Sequence, residues 1–323
     1  MTTERLPWIA EDQASLRLLE LAKKVAAAPT TLLITGESGT GKDHLARLVH
    51  ELGPRRDAPY LKIDCASLPP QLVESELFGH ERGAFTGAVE RKLGRFELGA
   101  NGTIVLDEVA ALSPNAQSKL LRVLQERAFE RLGGTETLRI EARIVALTNV
   151  ELPAAVKAGG FREDLYFRLN VLTLAVPPLR ERRADILLLA DHLLAGIRSA
   201  HGRPQAQLSE STRRMLAAYP WPGNVRELKN ALERAVVFSS VGRSRARGEG
   251  HDLLEPENFP ETVRAAAPGA ASSVAGLRSL EDVEREVIAA TLDATHYQIS
   301  RSAEILGISR KTLLEKRKKY GLK

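Results

Sequence analysis

Thr31-Leu32-Leu33-Ile34-Thr35-Gly36-Glu37-Ser38-Gly39-Thr40-Gly41-Lys42-Asp43 decides the fold. It opens as a short apolar run of strand type, passes through three glycines, and leads into Leu45-Ala46-Arg47-Leu48-Val49, which has helical character. Glycines at 36, 39 and 41 let backbone N–H groups converge on phosphate oxygens. The following helix offers its positive end, and Lys42 supplies a charge for the β- and γ-phosphates. The spacing predicts a phosphate loop made of Gly36, Glu37, Ser38, Gly39, Thr40, Gly41, Lys42 and Asp43. Asp43 stands where the general pattern has Ser or Thr, so the hydroxyl ligand of Mg²⁺ is missing; a carboxylate there would hold the metal through water. A glycine-rich turn without a ligand is the plain alternative, and the agreement of strand, loop and helix argues against it.

Working outward, strands are expected at Tyr60 to Asp64, at Thr103 to Leu106, at Arg143 to Thr148 and at Val171 to Val176. The second of these ends in Asp107-Glu108. Beside a nucleotide, Asp107 would coordinate Mg²⁺ directly or through water, and Glu108 would polarise the water that attacks the γ-phosphate; taken alone, the pair reads equally well as a solvated turn. The third ends in Thr148 and Asn149, polar groups placed to sense the γ-phosphate or its water, or simply a turn. Helical patterns lie between strands, from Asp12 to Ala28 and from Ser113 to Arg127. This alternation predicts an α/β fold, a mostly parallel five-stranded sheet between helices.

Between the phosphate loop and the acidic pair lies Gly83-Ala84-Phe85-Thr86-Gly87-Ala88. Its glycines predict a sharply turning loop with Phe85 and Thr86 at the tip. One large apolar side chain in six residues makes neither strand nor helix face, so Phe85 either tucks back locally or meets a partner. Arg162 and Arg168 fall in an amphipathic helical stretch, where surface salt bridging and an arginine finger given to a neighbouring subunit are both open.

The ATPase-like α/β region is read as 1–178, followed by a helical region without strand signals over 179–240. Within it, Trp221-Pro222-Gly223-Asn224-Val225-Arg226 predicts a rigid turn, an Asn helix cap and an outward guanidinium at Arg226. Glycine, alanine and serine loosen the stretch 241–279, read as a flexible linker. The tail, 280–323, divides by charge: residues 281–293 hold five acids against Arg285, a net of −4, and 309–323 hold seven bases against Glu315, a net of +6. Ala303, Ile305, the turn at Gly307, Ile308, the cap Ser309 and Leu313 predict a helix-turn-helix. Its second helix would carry Ser309, Arg310, Lys311, Thr312 and Leu314 into the major groove, with Lys316, Arg317 and Lys318 near phosphates.

Across 323 residues the composition is that of a globular protein, 43% hydrophobic and 27% charged, and the net charge of +5 hints at an anionic partner. Cys65 is the only cysteine, so there is no internal disulfide or cysteine-based metal cluster, which fits a reducing cytoplasm. No run approaches the roughly 18 apolar residues of a membrane span.

With these residues in view, the chain resembles the bacterial enhancer-binding proteins, sigma-54-dependent activators of the AAA+ ATPase class. The phosphate loop resembles the family's Walker A, in which an acidic residue after the lysine is normal, and Val105-Leu106-Asp107-Glu108 resembles its Walker B. Glu76-Leu77-Phe78-Gly79-His80-Glu81-Arg82 followed by the intact Gly83-Ala84-Phe85-Thr86-Gly87-Ala88 is its most specific signature. The resemblance implies ATP and Mg²⁺ as cofactors and a homo-oligomeric ring, a hexamer. It implies Arg162 and Arg168 as arginine fingers, Thr148 and Asn149 as sensor I and Arg226 as sensor II. It further implies contact of the 83–88 loop with sigma-54 bound to RNA polymerase, and a Fis-type tail on double-stranded DNA at an upstream activator site. Two departures stand out: Asp64 replaces the asparagine that often restrains the Walker B glutamate, and Trp8-Ile9-Ala10 lacks the usual glycine. The ATPase module begins almost at Met1, so regulation is expected from a separate protein or partner activator. Other readings are a DNA-binding repressor, or a regulator acting on another sigma factor, whose ATPase serves only assembly, and an unrelated P-loop enzyme.

Overall fold

Five strands form the expected sheet: β1 Leu32–Thr35, β2 Tyr60–Asp64, β3 Thr103–Asp107, β4 Arg143–Thr148 and β5 Leu172–Ala175. They are all parallel, in the order β2-β3-β4-β1-β5. The computed structural model describes residues 8–99, 101–239, 252–265, 280–295 and 297–321. Every residue of β4 is buried, and only the last residues of β1 and β3 are not. Such unbroken apolar strands arise because helices cover both faces.

On one face Leu18, Ala22, Leu45 and Val49 pack on Leu32, Ile34 and Val105. On the other, Phe78, Phe96, Leu120 and Leu165 pack on Ile104, Leu106 and Ile144. Helix Gln13–Ala26 begins one residue after Asp12, whose carboxylate accepts from Ala14 N–H at 3.0 Å. Because the strands are parallel, the ends of β1, β3 and β4 bring the phosphate loop, Asp107-Glu108 and Asn149 to one edge, where ligands of such sheets bind. Cys65 is buried beside this edge, and burial pushes its thiol up to about 12, so it remains a packed, protonated group.

The region after β5 is built on helices Ala184–Ala200, Glu210–Ala218 and Asn224–Ser239 around the wholly buried Trp221. Two expectations need correction. Strand Ala206–Leu208 lies in the region read as purely helical, and it pairs in parallel with Asp252–Leu254. That partner, with helix Glu261–Arg264, falls inside the stretch read as linker, and Leu254, Phe259 and Val263 are buried in the same core. Three-residue strands are too short to show a period, and three apolar residues spread over ten positions do not look like a face. Residues 241–251 and 266–279 lie outside the described residues.

Residues 269–323 form a second unit. Its helices are Leu280–Ala294, Ile299–Ile305 and Arg310–Lys319, with a left-handed turn at Gly307 (φ 64°). Ile288, Leu292, Ala303 and Leu313 form its core, with Leu306 and Ile308 packed against them. Ile305, expected inside, is 62% exposed. The helix ends there, and Leu306 takes the inward place.

Candidate functional site

The phosphate loop turns on three glycines with φ of 148°, 78° and 101° at positions 36, 39 and 41. Its backbone closes on itself. Lys42 Nζ donates to the carbonyls of Gly36 (2.8 Å) and Glu37 (3.2 Å), and Thr40 Oγ1 donates to Glu37 O at 2.9 Å. Burial pulls the Lys42 pKa down, while the carboxylates of Glu108, Asp107 and Asp43 pull it the other way. Burial prevails, so the Lys42 pKa lies below the ordinary lysine value.

At the end of β3, Asp107 Oδ1 accepts from Glu108 N–H at 3.0 Å. Glu108 sits in the left-handed region (φ 51°), a strained backbone for a residue with Cβ, and its Oε2 accepts from Asn149 N–H at 3.2 Å. Asn149 therefore meets Glu108 through its backbone. Asp64, which stands where the family often has the restraining asparagine, does not: its carboxylate accepts from Ala66 and Ser67 N–H at 2.9 and 3.2 Å, a local turn, and Glu108 is met by the Asn149 amide instead. Lys62, which sequence reasoning missed, bridges the two carboxylates expected at the metal, Asp43 at 2.5 Å and Asp107 at 2.8 Å. Burial opposes the Lys62 charge, but the hydrogen bonds to Asp107 and Asp43 outweigh it and hold its pKa above the ordinary lysine value.

The turn at Trp221 to Asn224 lies directly on the phosphate loop. Asn224, expected as a helix cap, is wholly buried and turned to this contact instead. Its Nδ2 donates to Glu37 Oε2 and to Ser38 O, each at 3.1 Å, and its Oδ1 accepts from Leu179 N–H at 2.7 Å. Val225 N–H donates to Gly39 O at 3.0 Å. A Cβ on Gly39 would stand 2.5 Å from Gly223 O, so only glycine fits beneath the turn. Arg226 donates to Ser38 Oγ at 2.6 Å, which brings the expected sensor arginine to the loop. Arg180 clamps Glu37 through two bonds of 2.9 and 2.6 Å, and the buried Arg182 donates to Thr40 O at 2.6 Å. Trp8, stacked on His44 at 5.7 Å, joins Arg182, Leu189, His192 and Leu193 around a cleft of about 170 Å³ beside Gly41. Asn224→Ala would leave the buried Leu179 N–H without its acceptor and release the contacts to Glu37 and Ser38. It is expected to cost about 1–3 kcal/mol, seen as a lower thermal midpoint; an unchanged midpoint would show that the contact contributes nothing.

Arg162 binds Asp164 through Nε (3.0 Å) and Nη2 (2.7 Å) and Ser118 through Nη1 (3.1 Å), all on the exposed surface. Arg168 lies exposed in the last turn of the same helix, Glu163–Leu169, beside Phe167, which is 62% exposed. The 83–88 loop is closed by Gly83 N–H to Ala88 O (2.8 Å) and Ala88 N–H to Phe85 O (3.0 Å). Phe85 is half-buried, its ring edge against His80 at 5.0 Å, while Thr86 is exposed. Local packing thus holds Phe85, and of the loop's side chains that of Thr86 is the exposed one at the tip. Ala84 rests on Gly133, in the turn of the ribbon Ala128–Glu130 with Thr137–Arg139.

In the second unit, Ser309 caps its helix by accepting from Thr312 N–H at 3.1 Å. Arg310, Lys311, Leu314 and Lys318 are exposed. Lys316 is instead ion-paired with Glu284, whose other oxygen accepts from Tyr320 Oη at 2.5 Å, so its ammonium is engaged within the unit.

A phosphate loop, an acidic strand end and a helical lid that contributes an arginine, all at the carboxyl edge of one parallel sheet, define the AAA+ class of P-loop proteins. Residues 8–175 match the sigma-54 interaction domain, residues 180–274 the AAA+ ATPase lid domain and residues 279–320 the Fis family of bacterial regulatory proteins. The chain belongs to the sigma-54-dependent transcriptional regulators. It is 41% identical to the transcriptional regulatory protein FlbD of Caulobacter vibrioides, with 99% of this chain and 71% of that protein aligned. It is also 41% identical to the regulatory protein AtoC of Escherichia coli, over 97% of this chain and 68% of that one. Among solved structures, NtrX from Brucella abortus in complex with ADP superposes with a TM-score of 0.73 at 31% identity, covering 98% of this chain and 70% of that one. The same protein in complex with ATP gives 0.72 at 32% identity, covering 99% and 71%. Among the described residues no helix is long and apolar enough to cross a membrane.

Proposed function

We infer that this chain is a cytoplasmic, ATP-hydrolysing activator that binds DNA upstream and remodels the closed sigma-54 RNA polymerase promoter complex through its 83–88 loop. One observation supports this most. The exposed Thr86 belongs to a loop inserted in the chain between the phosphate loop and Asp107-Glu108, so the chain that carries it is anchored on both sides to the nucleotide edge.

In this reading the loop amides and Lys42 hold the triphosphate, Glu108 orients the attacking water, and Asn149 and Arg226 follow the γ-phosphate. The metal site fits Mg²⁺. Asp43 and Asp107 are close enough for one lysine ammonium to bridge them, and two carboxylates with substrate phosphates are a common Mg²⁺ shell. No group of three or more metal-ligating His, Cys, Asp or Glu side chains gathers among the described residues, so phosphates and water would complete it. When bound, Mg²⁺ neutralises charge on the β- and γ-phosphates. Arg162 and Arg168, exposed on one short helix, reach a neighbour's nucleotide in a hexameric ring, which makes hydrolysis depend on assembly. Arg310, Lys311 and Leu314 enter the major groove, while Arg317 and Lys318 neutralise phosphates.

Thr86→Ala separates this reading from a regulator whose ATPase serves only assembly. The variant is expected to hydrolyse ATP at close to the parent rate and to form no open complexes on a sigma-54 promoter. Normal open-complex formation by the variant would exclude the proposed role of the loop.

A further inference from the structure

Lys62 has no place in the scheme above, yet its position is unusual. It lies on β2, and its four-carbon stem carries an ammonium to Asp43, in the first turn after the phosphate loop, and to Asp107, at the end of β3. The side chain is 35% exposed, so water has access to it. The two carboxylates it bridges are the ones assigned above to the divalent cation.

We propose that Lys62 is a tethered counter-cation of the nucleotide site. It competes with Mg²⁺ for Asp43 and Asp107 and so sets the Mg²⁺ concentration at which tight nucleotide binding begins. This rests on the reading of the phosphate loop as an ATP site. Two unneutralised carboxylates next to a triphosphate repel it, and the Lys62 charge offsets part of that repulsion when no metal is present. An ammonium 2.5–2.8 Å from the carboxylate oxygens occupies the space where Mg²⁺ or its bound water would stand. Both cannot hold the same oxygens, so one must leave. A flexible lysine stem on an accessible edge lets the ammonium leave without disturbing the sheet.

Removing the charge therefore has two effects. Without metal, nucleotide binding weakens because the repulsion returns. With metal, less Mg²⁺ is needed because no competitor remains. Simple damage to the site would instead weaken both.

The test uses the full chain and a fluorescent, non-hydrolysable ATP analogue, followed by anisotropy first in EDTA and then through a Mg²⁺ titration. Compared with the parent, Lys62→Met is expected to bind the analogue roughly two- to fivefold more weakly in EDTA and to reach half-saturation at roughly two- to fivefold less Mg²⁺, the scale of exposed ion pairs. Lys62→Gln should repeat this if the methionine variant folds poorly, and Lys62→Arg should keep the parent midpoint or raise it. Superimposed Mg²⁺ titrations of parent and Lys62→Met, or an arginine variant that behaves like methionine, would overturn the proposal. A parent chain that binds no analogue at any Mg²⁺ concentration would instead overturn the ATP-site reading, and this inference with it.

Discussion

Glu108→Gln is expected to lower ATP turnover by about 10²- to 10⁴-fold, the usual contribution of a positioned general base, with little change in nucleotide affinity. The glutamine side chain matches glutamate in shape, and its carbonyl can still accept from Asn149 N–H, as Glu108 Oε2 does at 3.2 Å. What it lacks is the charge that polarises water. Phosphate release reports turnover and anisotropy of a fluorescent nucleotide reports binding; turnover within about tenfold of the parent would remove Glu108 from the chemistry.

The second large effect is on the lid. Trp221→Ala is expected to cost about 3–5 kcal/mol, the range for deleting a large buried aromatic. Trp221 is fully buried, donates from Nε1 to Leu216 O at 2.9 Å, and meets the Tyr219 ring edge-on at 4.9 Å. It also stands three residues before Asn224, so the loss spreads to the contact with Glu37 and Ser38. Denaturant unfolding should show an earlier lid transition, and nucleotide affinity should fall with it. Stability within about 1 kcal/mol of the parent would mean that the lid core closes over the gap.

The fold was legible because each of its signals is local. Glycines at 36, 39 and 41, an apolar run before them and a helix after them lie within about twenty residues, and the alternation of strands and helices gave the parallel sheet. The site was legible where its residues end strands, as Asp107, Glu108 and Asn149 do. It was not legible where a contact depends on elements far apart in sequence. Lys62 looks like any exposed strand lysine until β2 lies beside β3, and Asn224 looks like a helix cap until the lid settles on Ser38. The carboxylate of Asp64 serves a turn two residues away, a use that its position on the strand does not reveal. Leu254, Phe259 and Val263 were hidden by polar neighbours and by their irregular spacing.

The docking of the Trp221 to Asn224 turn on the phosphate loop has a mechanical reading as well. Helix Asn224–Ser239 starts at that contact and runs for 16 residues, so at 1.5 Å per residue it is about 24 Å long. A rotation of about 10° at its pivot on Gly39 and Ser38 would swing the far end, with the exposed Phe238, by roughly 4 Å. The helix would thus act as a lever with its fulcrum at the phosphate loop, a small tilt there being magnified at the opposite side of the lid.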